Sequence, residues 1–111
     1  MHENELVHTH LTELRRGSLT LAILGSLKQP RYGYALLQEL QKGKLEIEAN
    51  TLYPLLRRLE KQGLLSSTWH EIAGRQRKYY SISENGNDFF KTLLMEWRKL
   101  YESIEFICGR A

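Results

Sequence analysis

A single cysteine, Cys108, stands in a chain of 111 residues. That excludes an internal disulfide and any zinc site built from several cysteines. No apolar run approaches the length needed to span a bilayer, so no membrane partner is expected. The opening residues are polar and charged, without the pattern of a secretory signal, and a reducing cytoplasm is the expected compartment. Low-complexity tracts and internal repeats are lacking. Also missing are a glycine-rich phosphate loop, paired catalytic carboxylates, a complete metal site and a nucleophile–base grouping. Neither enzymatic activity nor a cofactor is therefore expected. His8 and His10 sit two residues apart without the remaining ligands a metal requires. Cys108 has no cluster around it to stabilise a thiolate.

The length suits one domain with a modest core. An apolar fraction of 41% and a charged fraction of 26% are ordinary for a globular protein. The net charge is only +3, but it is unevenly distributed. Between Asn50 and Tyr80 six bases (Arg57, Arg58, Lys61, Arg75, Arg77, Lys78) face two acids (Glu60, Glu71), an excess larger than that of the whole chain. A localised basic patch of this kind suits a polyanionic partner.

Within that block, residues 50–63 read as a short helix with two chemically different faces. Leu52, Leu55, Leu56 and Leu59 recur at i, i+3, i+4 and i+7 and share one stripe. The opposite side carries Asn50, Pro54, Arg57 and Lys61, flanked by Thr51, Tyr53 and Arg58, with Glu60 towards its edge. Solvated helix faces mix acids with bases. This one holds cations, amide and hydroxyl groups and an aromatic ring, which suits a helix laid against an anionic surface with readable edges, such as a DNA major groove.

Around this segment the remaining elements fall into order. Residues 1–9 are polar and carry no strong pattern, and the first few are expected to fray. Leu11 to Leu27 is helical in period, with Leu14, Leu21, Ile23, Leu24 and Leu27 as core candidates. Ser18 is either an N-cap or a soft point in one longer helix, and Pro30 ends the element. A second helix starts at Tyr32-Gly33-Tyr34 and closes at Gly43. The alternation in residues 44–49 predicts a very short strand. The third helix begins at Asn50 or Thr51, both competent caps, with Pro54 in its first turn and Gly63 at its end. Leu64–His70 and Lys78–Ser83 are rich in β-formers and enclose a glycine-containing loop, Glu71–Arg77, so a hairpin with a basic tip is expected, with Trp69 in its core. Ser83 caps a long last helix, Glu84 to Cys108, with a weak point at Gly86. The fold class is mainly α with a small β-hairpin. A winged helix-turn-helix over residues 1–83 and one long C-terminal dimerisation helix over 84–111 are expected to form one compact unit.

In that last helix Phe90, Leu94, Trp97, Tyr101, Ile104 and Cys108 step by 4, 3, 4, 3 and 4, a heptad-like seam. Leu93, Leu100 and Ile107 run beside it. The surface is wider than one small winged domain can cover, so a homodimer interface is expected. Two recognition helices could then meet half-sites about one helical turn apart.

Three segments, Tyr32-Gly33-Tyr34-Ala35-Leu36, Asn50 through Leu65, and Gly74-Arg75-Gln76-Arg77-Lys78-Tyr79-Tyr80, together resemble the PadR family of transcriptional regulators. The resemblance spans about Leu14 to Tyr101. It implies a dimeric winged helix-turn-helix repressor that binds a palindromic operator in double-stranded DNA and is released by an effector. A single C-terminal helix resembles the small subfamily. Some of its members bind planar aromatic compounds between the two subunits through a tryptophan of the last helix, and Trp97 occupies the matching place. Gln76 departs from the frequent proline, and Asn50 from the frequent glycine or alanine, which bears on wing rigidity and operator choice.

The residues expected to contact DNA are Asn50, Thr51, Tyr53, Pro54, Arg57 and Lys61 of the third helix and Arg75, Arg77 and Lys78 of the wing. Arg57 can fork onto guanine while Lys61 supplies a point charge. Asn50 and Thr51 either cap the helix or reach the groove. Arg58 points sideways and is available to Glu60. Tyr32 and Tyr34 pack or bond a phosphate. Phe90, Leu93, Leu94, Trp97, Tyr101 and Ile104 are expected at the dimer and ligand interface, where Trp97 is either packing or a platform for a small aromatic effector. The competing reading is a winged-helix module for small-molecule sensing or protein interaction, without sequence-specific DNA binding.

Overall fold

The structure, a computed structural model, describes residues 3–109. Four helices and three short strands follow one another as α1 (Glu3–Ser26), β1 (Arg31–Tyr32), α2 (Gly33–Lys42), α3 (Ala49–Lys61), β2 (Leu65–Ile72), β3 (Arg75–Ile82) and α4 (Glu84–Ile107). The strands form one antiparallel sheet in the order β1-β3-β2. Its long hairpin pairs Leu65 with Ile82 through to Ile72 with Arg75, and β1 adds Arg31 opposite Tyr80 and Tyr32 opposite Tyr79. This is the winged-helix arrangement expected from the sequence.

Apolar periodicity decides what lies inside. Ile23, Leu24 and Leu27 of α1, Leu36, Leu37 and Leu40 of α2, and Leu52, Leu55, Leu56 and Leu59 of α3 form the buried centre. Ile47, Leu65, Tyr80 and Phe90 complete it, and among the described residues no charged, amide or aliphatic hydroxyl side chain is buried. Ser83 fastens the last helix as expected. Its hydroxyl accepts from the Gly86 amide at 2.9 Å and donates to the Gly63 carbonyl at 2.6 Å.

Several sequence expectations need correction. Helix α1 runs unbroken from Glu3 through Gly17-Ser18, so most of residues 1–9 is helical. A Cβ at Gly17 would meet nothing, and one interior glycine costs only about 1 kcal/mol, which a 24-residue helix absorbs. Leu14 is 72% exposed and belongs to no core. Residues 44–49 form no strand. Leu45 and Ile47 alternate inward because the connection is pegged by Leu45 N–H to Leu40 O (3.1 Å) and Gln41 Nε2 to Ile47 O (3.2 Å). The third strand is Arg31–Tyr32 instead. Helix α3 starts at Ala49 with Glu48 in the N-cap position and no side-chain cap, so neither Asn50 nor Thr51 serves as its cap. The wing is longer than expected. Arg75, Gln76 and Arg77 belong to β3, and the turn is Ala73-Gly74, both at positive φ (52° and 77°) as a tight hairpin turn needs. Trp69 is 64% exposed and lies beyond the hairpin's core.

Gly86 is not a weak point. A Cβ there would sit 2.0 Å from the Leu64 carbonyl oxygen, so the glycine lets the first turn of α4 close on the root of the wing. Gly86 and Gly17 should therefore respond in opposite directions to alanine. In urea unfolding at fixed protein concentration, Gly86→Ala is expected to lose about 1–3 kcal/mol through overpacking. Gly17→Ala is expected to gain up to about 1 kcal/mol through helix propensity. Equal effects of the same sign would contradict this account.

Candidate nucleic-acid interface

Burial of its leucine stripe turns α3 so that Asn50, Thr51, Pro54, Arg57, Arg58 and Lys61 all face solvent. Among the described residues, no ion pair involves Arg57, Arg58 or Lys61. Arg58 does not engage Glu60. It lines, with Pro54, Arg57, Glu60, Lys61 and Lys78, an open groove of about 550 Å³. Sequence reasoning left Arg58 off the interface; its signal was the missing i±3 or i±4 acid that would have neutralised it.

A second cleft, about 510 Å³, lies between the wing and the start of α2. Tyr32, Tyr34, Tyr53, Arg75, Arg77 and Lys78 line it. It exists because β1 ends at Tyr32, which leaves the β3 edge unpaired from Lys78 towards the wing tip. Tyr53 is half-buried, its ring lying where a side chain on Gly33 would be: a Cβ on Gly33 would come within 2.4 Å of that ring. This close approach ties the Tyr32-Gly33-Tyr34 segment to α3. The Arg77 guanidinium lies over the Tyr32 ring, 4.5 Å from its centroid. Helix α2 begins without a side-chain cap and without an acid in its first turn, and the first amides of a helix have no intrahelical partner. Tyrosine hydroxyls, guanidinium groups and amide donors suit the oxygens of a phosphodiester.

Lys78 does not join these free cations. Strand alternation puts it on the opposite face of β3 from Arg75 and Arg77, where its ammonium sits 3.2 Å from Glu60 Oε1 and 5.1 Å from the Tyr80 ring centroid. Ser67 of β2 donates a short hydrogen bond to Glu60 Oε2. The Ser67 hydroxyl, helped by Lys78, holds the Glu60 carboxyl below its ordinary 4.5 against the opposing effect of burial. Burial pulls Lys78 down, but the Glu60 carboxylate and Tyr80 outweigh it and lift the ammonium above its ordinary 10.5.

The last helix divides into two halves. Phe90 belongs to the intramolecular core rather than to an interface between subunits, and Leu93 and Leu94 are half-buried. Beyond them Trp97 (44% exposed), Tyr101, Leu100, Ile104, Phe106 and Ile107 are all open. Trp97 and Tyr101 stack, with ring centroids 5.9 Å apart and planes 21° from parallel. Among the described residues, no helix is long and apolar enough to cross a membrane, and no group of three or more possible metal ligands occurs.

Residues 21–92 match the sequence profile of the transcriptional regulator PadR-like family. The chain is a member of that family. A PadR family transcriptional regulator from Eggerthella lenta has a crystal structure that superposes with a TM-score of 0.90 at 39% identity, covering 97% of this chain and 96% of that one. The transcriptional regulator Rv3488 of Mycobacterium tuberculosis is 33% identical over 95 residues, 85% of each chain. An uncharacterized protein of Lysinibacillus sphaericus is 32% identical over 99 residues, 85% of this chain and 91% of its own. This PadR-like chain therefore sits among transcriptional regulators rather than enzymes, and DNA binding follows from family membership.

The Glu60–Lys78 pair predicts a pH signature of stability. A carboxyl held low contributes above its unfolded value and loses that contribution as pH falls through its folded value. Lys78, held high, loses its contribution only as pH rises past its raised value in strong alkali. Glu60→Gln should therefore be less stable than the parent in urea at neutral pH. The two should converge as pH is lowered through the carboxylate range. A gap that persists in acid would assign the loss to packing rather than charge.

Proposed function

We propose that this PadR-like regulator is a repressor that binds a palindromic operator in duplex DNA as a homodimer and is released by a small-molecule effector. The observation that carries the reading is the outward face of α3, where Arg57, Arg58 and Lys61 have no acid partner among the described residues, beside the arginine- and tyrosine-lined cleft of the wing. Arg57 and Lys61 take the groove, with Asn50, Thr51, Tyr53 and Pro54 at the entering end of the helix, where recognition helices make base contacts. Arg75 and Arg77 follow the backbone or the neighbouring minor groove.

Support for two copies comes from the shape and from the uncovered surface. The Cα radius of gyration is 16.3 Å, against about 13 Å for a compact chain of this size. The open half of α4 carries a run of large apolar side chains from Trp97 to Ile107, and the first half of α1 exposes Leu6, Val7 and Leu14. Contiguous apolar faces of this size mark interaction surfaces. An isologous dimer would bury them and present two recognition helices related by a two-fold axis, the symmetry a palindrome mirrors. The stacked, accessible Trp97 and Tyr101 rings support a seat for a flat aromatic effector at that dimer centre.

Fluorescence anisotropy across a salt series tests the DNA reading. Affinity should fall steeply as salt rises. Arg57→Ala and Lys61→Ala should each cost about 1–3 kcal/mol. Salt-independent behaviour, or no loss in either variant, would favour a protein-interaction module instead. Sedimentation tests the dimer: Ile104→Asp should shift the parent dimer to monomer. A monomeric parent would refute it. Trp97→Ala should abolish binding of flat aromatic dyes while sparing DNA binding, and undiminished dye affinity would remove Trp97 from the effector site.

A further inference from the structure

Glu60 is an anomaly on the face it borders. It lies in the last turn of α3, where a negative charge opposes the helix dipole, and it adjoins a surface otherwise equipped to attract phosphates. Its carboxylate is used entirely within the protein. Oε2 takes the Ser67 hydroxyl of β2 and Oε1 takes the Lys78 ammonium of β3, so one side chain holds both strands of the wing to the recognition helix. The root of the wing is a second anchor. The chain leaves α3 through Gln62-Gly63-Leu64, where Gly63 at φ 77° lets the Leu64 amide return to the Leu59 carbonyl at 3.0 Å. That root fixes the hinge, and the Glu60 clasp fixes the angle. Beyond Ser67 the strands run five more residues to Ile72, roughly 17 Å at the usual rise, so a small change of angle at the clasp moves Arg75 far.

We propose that Glu60 is a positioning residue for DNA discrimination: its clasp on Ser67 and Lys78 sets the wing at the angle where Arg75, Arg77 and the α3 cations meet one duplex together, and it withholds Lys78 from the phosphates. The inference rests on the DNA-binding reading above. Two contact sets held at a fixed spacing bind as linked modules, and the gain applies to duplexes whose shape matches that spacing. A free Lys78 would instead add a phosphate contact that every sequence offers alike. The clasp therefore raises the ratio of specific to non-specific binding rather than affinity as such.

The test uses the full-length chain and a duplex enriched from a randomised pool by the parent protein, with a shuffled duplex of the same composition as reference. Glu60→Gln keeps an oxygen for Ser67 but frees Lys78. Its enriched-to-shuffled affinity ratio should fall by about tenfold, set against the several decades typical of specific binders. The log–log salt slope on the shuffled duplex should steepen by about 0.9 for each added phosphate contact. Lys78→Met should lower the ratio without steepening the slope. The charge-reversed pair Glu60→Lys with Lys78→Glu should restore ratio and slope towards the parent values, a rescue that a purely structural role of Glu60 does not predict. If the parent enriches a duplex and Glu60→Gln matches it in ratio and slope, the positioning role is overturned while the DNA reading stands. A flatter slope in Lys78→Met would likewise overturn it, by showing that Lys78 already reaches phosphate. If the parent enriches nothing and shows no salt-dependent binding, the DNA reading fails and the inference with it.

Discussion

The leucine stripe of α3 is the constraint on which the remaining structure turns. Leu52, Leu55, Leu56 and Leu59 are all buried against α1, α2 and the sheet. Burying each such side chain contributes about 1.5–3 kcal/mol, so the helix has essentially one rotational setting. That setting forces Arg57, Arg58 and Lys61 outward. Charge on the outer face is thus a consequence of apolar burial on the inner one. The same stripe fixes where α3 ends, and so where the wing is rooted.

From that root the wing is shaped by local backbone chemistry and by one ionic clasp. Gly63 and the Ala73-Gly74 turn supply the positive φ angles. Gly33 and Gly86 supply the close approaches that seat Tyr53 and the start of α4. The result splits six cations into two kinds. Arg57, Arg58, Lys61, Arg75 and Arg77 remain available to a partner, whereas Lys78 is neutralised by Glu60. Counting bases in the sequence treats all six alike, and only their partners separate them.

Much of the fold was legible in the sequence because its carriers are periodic or stereochemically demanding. The 3.6-residue spacing of leucines marked α2, α3 and the second half of α1, and Ser83 marked the start of α4. The failures share a physical cause. Residues 44–49 alternate like a strand, but a strand needs a partner, and Leu45 and Ile47 are instead pegged to α2. Asn50 and Thr51 look like caps, but Glu48 takes the boundary because the chain is already helical at Ala49. Trp69 has a strand-core side chain, yet on β2 it stands exposed, outside the buried cluster. Phe90 continues the seam of α4, but proximity to Gly25 of α1 draws it inside.

By itself the sequence determined the two-faced recognition helix, the order of the helices and the hairpin, its basic character and an apolar seam on the last helix, because each depends on spacing or composition within one segment. Tertiary structure alone decided that Lys78 is tied to Glu60, that β1 leaves the β3 edge open as a cleft, and that the seam divides between core and open surface at Trp97. Those outcomes depend on which charges and surfaces meet across segments distant in the chain. Coulombic pairing and burial act through space, and no local pattern records them.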